Sequence, residues 1–173
     1  MAIALYDLSV GNYLQALGAV AGFLDRGLAH CSDNNIDPDE IVGTRLFPDM
    51  LPFHFQVQSV AHHSLGAIQG VKAGLFQPPP QIPVGDYAGL QAMITAAQAG
   101  LQSLSAEEVN ALEGREVKFK TVAFELPFVA ENFLLSVSLP NFYFHATTAY
   151  DILRMKGVPI GKRDFMGKMR LKT

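Results

Sequence analysis

The sequence has no tryptophan, one cysteine and little charge, and each absence narrows what the chain can be. With no Trp but 12 Phe among 173 residues, the large rings of a core must come from phenylalanine, packed with leucine. Cys31 stands alone, so no internal disulfide can form, which fits a reducing compartment. Charged residues make up 17% of the chain and apolar residues 49%. That balance argues against intrinsic disorder and predicts a packed globule. No apolar run is long enough for a membrane span, because Asp, Gln, Gly or His interrupts each one. Met1-Ala2-Ile3-Ala4-Leu5-Tyr6-Asp7 lacks the basic stretch that opens a secretory signal. We therefore expect a cytoplasmic protein with no membrane partner. A glycine-rich phosphate loop, a nucleophile-elbow serine and a close pair of cysteines are also missing.

What charge there is lies unevenly. From Ile152 to Thr173 there are seven basic residues (Arg154, Lys156, Lys162, Arg163, Lys168, Arg170, Lys172) against one acid, Asp164, although the whole chain is at −3. A basic tail can serve nucleic acid or membrane. Here no aromatic side chains interleave with the charges for base stacking, so we read a solvated terminus on an acidic body and expect no nucleic-acid partner. The length predicts a single domain over 1–173.

Apolar residues recurring at helical spacing (Leu5, Leu8, Tyr13, Leu14, Leu17, Val20, Phe23, Leu24, Leu28) predict a first helix over Ile3–Cys31. Gly11, Gly18, Gly22 and Gly27 lower its propensity and suggest close approach by a neighbouring helix. Asp37-Pro38 marks the start of one or two further turns. A second long helix is expected over Pro52–Ala73, closed by Gly74. It carries His54, His62 and His63, with Gln56 near its start as a cap or pairing residue. The stiff Pro78-Pro79-Pro80-Gln81-Ile82-Pro83 connector leads to a third helix ending near Leu104. Ser105-Ala106-Glu107-Glu108 reads as a capping box. The alternation in Glu116–Glu125 reads as an extended or hairpin excursion. The last segment begins near Phe128, is interrupted at Pro140, and resumes from Asn141 to Met155 with Gly157 as its cap. The expectation is an all-α four-helix bundle with a small β-hairpin excursion before the last helix.

Chemistry concentrates in Leu139-Pro140-Asn141-Phe142-Tyr143-Phe144-His145. Asn141 and His145 are four apart and share a helix face. Only one of the neighbours His62 and His63 can face the bundle axis. Side chains from facing helices can converge on one ion, and imidazole suits zinc, nickel, iron or copper. The candidate metal set is His62 or His63, with Asn141 and His145. Phe142, Tyr143, Phe144 and Tyr150 would line an adjoining apolar pocket. In the tail, Phe165 is a candidate anchor onto the body.

The run from Leu139 to Arg154, followed by Gly157, Gly161-Lys162 and Asp164-Phe165, resembles the signature of an uncharacterised bacterial family within the DinB/YfiT-like superfamily. Phe47-Pro48-Asp49-Met50 and Gln56-Val57-Gln58 fit the same family, so the likeness spans nearly the whole chain. It implies a DinB-like four-helix bundle with a long crossover, often a homodimer. It also implies a divalent metal, zinc or nickel, bound by one histidine of the second helix and two of the last helix four residues apart. His145 matches the second of that pair, Asn141 stands where the first would be, and His63 is the counterpart on the second helix, with His62 as its alternative. Some members are thiol transferases acting on a small thiol. Two expectations follow: a metal-dependent enzyme of thiol transferase or hydrolase type, or a non-catalytic dimeric bundle that binds a small thiol or apolar metabolite, or is purely structural, without metal. No catalytic residue is named by the sequence.

Overall fold

A computed structural model describes residues 3–172; Met1, Ala2 and Thr173, at the ends of the expected domain, lie outside the described residues. The first helix comes in two pieces, α1 (Leu5–Leu8) and α2 (Val10–Asp33). Ser9 breaks them at ψ −79°, its hydroxyl donating to the Leu5 carbonyl at 2.6 Å. A side chain that bonds its own backbone this way bends a helix. The short α3 (Asp39–Val42) follows, with the Asp37 carboxylate accepting from the Asp39 amide at 3.0 Å.

The second long helix is one rod made of α4 (Phe53–Ala61), a π turn at His62–Gly66 and α5 (Ala67–Ala73). Gly74 ends it at φ +74°, a left-handed conformation that glycine adopts without a Cβ penalty. After β1 (Leu75–Phe76) and the proline connector comes α6 (Tyr87–Gln102), capped by the Asp86 carboxylate, which accepts from the Gly89 amide at 2.7 Å. Ser105 caps α7 (Ala106–Asn110) in the same manner.

The excursion is more than a hairpin. Strands β2 (Glu116–Lys120) and β3 (Glu125–Val129) pair antiparallel, and β1 joins β2 in parallel, Phe76 opposite Phe119, to make a three-stranded sheet in the order β1-β2-β3. The chain is thus mostly helical with a small sheet, which corrects the purely helical class. Phe76, 2% exposed, anchors this sheet through ring contacts with Phe119 and Phe133.

The last helix is not interrupted. α8 (Ala130–Phe133), a π turn at Leu134–Ser138 and α9 (Leu139–Met155) run on through Pro140, which occupies the first turn of α9. Its ring has no amide to donate, but it falls directly after the π turn, where the regular bonding pattern is already broken, and the helix carries it without ending. Gly157 closes α9 at φ +89°, with the Val158 amide returning to the Leu153 carbonyl at 3.0 Å.

α4 packs on α9 and α6, and α2 packs on α6 and α9, closing a ring of four around a core that includes Tyr13, Phe23, Phe53, Phe133 and Phe142. Each such ring, fully buried, contributes about 1.5–3 kcal/mol. Of the α2 glycines, only Gly27 meets a neighbouring helix closely: a Cβ there would lie 2.3 Å from the Tyr87 hydroxyl, while Gly22 faces open space. The tail segment α10 (Lys162–Met166) docks on α2. Phe165 lies edge-on to Tyr150, and Arg26 pairs with Asp164 at 3.2 Å. Among the described residues no helix is long and apolar enough to cross a membrane.

Candidate functional site

The apolar face of α4 is interrupted by a polar stripe. Gln56, Ser59 and His63 follow at i, i+3 and i+7, the spacing of one helix face, and all three are buried. Gln56 and His63 meet His145 of the packing partner α9.

Gln56 and His145 define each other. The Gln56 amide nitrogen donates to the Leu51 carbonyl at 2.7 Å, so its oxygen is turned toward His145 and lies 2.7 Å from Nδ1. An amide oxygen can only accept, so Nδ1 carries the proton and Nε2 keeps its lone pair. Phe55 and Phe144 stand edge-on to the ring at 5.9 and 5.2 Å. Burial pushes the ionisation of His145 down to about 4.

His63 lies nearly parallel to His145, ring centroids 5.9 Å apart. It is 6% exposed. Burial, then the nearby His145 and His62, lowers its ionisation to about 3. Both imidazoles are therefore neutral near pH 7, the form that binds metal. The Nδ1 of His63 is buried with no hydrogen-bond partner among the described residues. Its backbone is held from the opposite side: the Ser138 hydroxyl, in the second π turn, donates to the His63 carbonyl at 2.6 Å, and the Tyr13 hydroxyl donates to Ser138 at 2.9 Å. The two π turns thus meet through a buried hydroxyl relay. Single π turns concentrate at functional sites.

The other expected residues lie elsewhere. His62 is half-buried and turned away, its Nε2–H donating to the Gln77 carbonyl at 2.7 Å, beside a surface groove of about 340 Å³ lined by Leu65, Pro80 and Met93. The Asn141 amide nitrogen donates to the Val137 carbonyl of its own helix at 2.7 Å. Phe142 belongs to the core, edge-on to Tyr13 at 5.1 Å, and not to a pocket wall. Tyr143 and Phe144 are exposed and line a shallow groove with Leu46 and Met50. Tyr150 packs between Phe23 and Phe165. Ser59, Ser138 and Tyr13 escaped the sequence analysis as site residues, and Gln56 entered it only as a cap or pairing residue. Of these only the 56–59–63 stripe leaves a trace in the sequence, as polar residues recurring on an otherwise apolar face. Among the described residues no group of three or more His, Cys, Asp and Glu side chains is placed to hold an ion.

The packed helices with their small three-stranded sheet define a mostly helical class of fold. The chain is similar to the crystal structure of a DinB family member protein from Shewanella denitrificans, at 25% identity over 98% of this chain and 95% of that one, with a TM-score of 0.80. No curated protein matches the sequence. A family model described as Domain of unknown function (DUF1993) matches residues 5–166, and the chain belongs to that family.

Proposed function

We propose that the protein is a cytoplasmic DinB-like four-helix bundle, assembled as a homodimer, in which His63 and His145 hold a divalent metal, zinc or nickel, open to a small thiol. The observation that carries this reading is the pair of nearly parallel, neutral rings of His63 and His145 on facing helices, 5.9 Å between centroids, with a buried His63 nitrogen unpartnered among the described residues. A buried, unpaired polar atom costs about 1–3 kcal/mol, and a bound group at that ring would offset it. Gln56 adds support, because a metal-ligating histidine commonly gives its second ring N–H to an oxygen that fixes its tautomer.

The donor set fits an open, weakly held ion better than a closed structural one. Two neutral imidazoles come from the protein, no anionic ligand accompanies them, and the remaining positions fall to solvent, to a small ligand or to the Asn141 oxygen. When bound, such an ion would lower the pKa of a thiol or water and supply a nucleophile at neutral pH, as a thiol transferase or hydrolase requires. Gln56 would keep the His145 lone pair directed, and the hydrogen-bond relay from Tyr13 would hold the backbone that carries His63. Elemental analysis of untagged protein, wild type against His145→Ala, tests the reading. Metal in the wild type and its loss in the variant is expected, and no uptake of added zinc or nickel refutes it.

A second reading is favoured by the Asn141 amide, which is spent on its own helix: a non-catalytic module that keeps the site for a small thiol or apolar metabolite without metal. A thermal-shift screen of such compounds against chelator-treated protein tests it, and the absence of any stabilising compound counts against it.

A further inference from the structure

Two buried side-chain atoms lack any hydrogen-bond partner among the described residues: Nδ1 of His63 and Oγ of Ser59. They sit four residues apart, one turn of the same helix, a spacing that brings Cβ atoms to about 5–6 Å. Ser59 is 0% exposed. A buried helical serine or threonine ordinarily donates to the carbonyl four residues earlier. This protein shows that habit at Ser64 to Val60 and Thr148 to Phe144, at 2.8–2.9 Å. Ser59 does not take the equivalent bond, so its hydroxyl is left over for something else.

We infer that Ser59 is a further residue of the site, and that its hydroxyl and His63 Nδ1 together hold one hydrogen-bonding O–H or S–H group: a buried water, or the hydroxyl or thiol of a small ligand. The inference rests on the two-histidine site proposed above, though not on its metal. Two orphans at this spacing are satisfied together by one small occupant with a donor and an acceptor, which is how buried waters serve polar interiors. In this role Ser59 does for His63 what Gln56 does for His145. It fixes the ring through the hydrogen bond at one nitrogen and leaves the other nitrogen defined. Ser59 is accordingly a positioning residue.

The test is Ser59→Ala, read first on chelator-treated protein. A lone unpaired hydroxyl costs stability, so its removal should raise or preserve Tm. A hydroxyl that holds a bound group should lower Tm, by about 2–4 °C for a domain of this size. The imidazole 15N shifts of His63 should move in the variant, while those of His145 stay in place. In dialysed wild type, shifts indifferent to added 2-mercaptoethanol identify water as the occupant, and shifts that follow the thiol identify a ligand. Either outcome supports the inference. A Tm at or above wild type, or unmoved His63 nitrogens, overturns it. A parallel zinc titration should show about tenfold weaker binding in the variant. If wild type takes up no zinc, the metal reading fails while Tm and the shifts still decide the role of Ser59.

Discussion

Ser138→Ala removes a single oxygen, yet it strips two partners at once. The Tyr13 hydroxyl loses the acceptor 2.9 Å away and the His63 carbonyl loses the donor 2.6 Å away, in a region where Tyr13 and Ser138 are both 0% exposed. Each stranded buried group costs about 1–3 kcal/mol. The methyl group that remains creates almost no cavity, so the combined loss should be about 2–4 kcal/mol, far above the ~0.5 kcal/mol expected of a neutral change. Tyr13→Phe keeps the edge-on packing against Phe142 and leaves Ser138 able to donate, so it should cost about 0.5–1.5 kcal/mol. Once Ser138 is alanine, replacing Tyr13 removes a hydroxyl that is already orphaned. The double variant should then be no worse than Ser138→Ala alone, with a coupling of about 1 kcal/mol or more. Urea denaturation of the four proteins measures this directly. Additive losses would show that the hydroxyls do not form a relay, and a Ser138→Ala loss under ~0.5 kcal/mol would show that the π turns are not fastened there.

The low ionisation of the two histidines sets a pH dependence. His63 and His145 titrate at about 3 and about 4 in the fold, against about 6.5 in the unfolded chain. The unfolded state therefore binds more protons between those limits, so stability should fall as pH drops from 6.5 toward 4. His63→Gln should flatten the slope in denaturation midpoints across that range, and an unchanged slope would count against the burial of a neutral His63. Gln56→Leu frees the Nδ1 of His145 and should weaken zinc binding about tenfold or more by calorimetry, with equal affinity refuting its orienting role. Gly27→Ala, driven into the Tyr87 hydroxyl 2.3 Å away, should cost about 1–3 kcal/mol. Gly22→Ala, facing open space, should gain about 0.5–1 kcal/mol. Thermal melts of the pair giving the same sign would refute the packing assigned to α2.

The helices were legible because their signals are local. Asp86 and Ser105 cap, Gly74 and Gly157 terminate, and the apolar stripes repeat at helical spacing. For the candidate site the sequence offered His62 or His63 opposite His145 and could not choose between neighbours; in the fold it is the His63 ring that lies 5.9 Å from that of His145. β1 was not readable, because two residues carry no periodicity and their partner strand lies about forty positions on. Pro140 misled because a proline carried just after a π turn looks, in sequence, like one that breaks a helix. Ser138 gave no sign at all, and Ser59 showed only as one polar residue on an apolar face. A serine in a helix normally bonds its own backbone, and only the tertiary structure shows which ones do not.

The π turn under His63 has a consequence for comparing this chain with others. A π turn is an α-helix holding one residue too many, and each residue in an α-helix advances the face by about 100°. Deleting one residue within His62–Gly66 would remove the bulge and leave the residues beyond it on the faces they now occupy, whereas a regular helix aligned without a gap would turn them by that angle. Any relative whose second helix is regular must therefore be aligned with a one-residue gap at this point. Placed a position early or late, the gap exchanges His62 for His63 and matches a groove residue to a core histidine. The register of that gap is best anchored on the carbonyl that Ser138 holds.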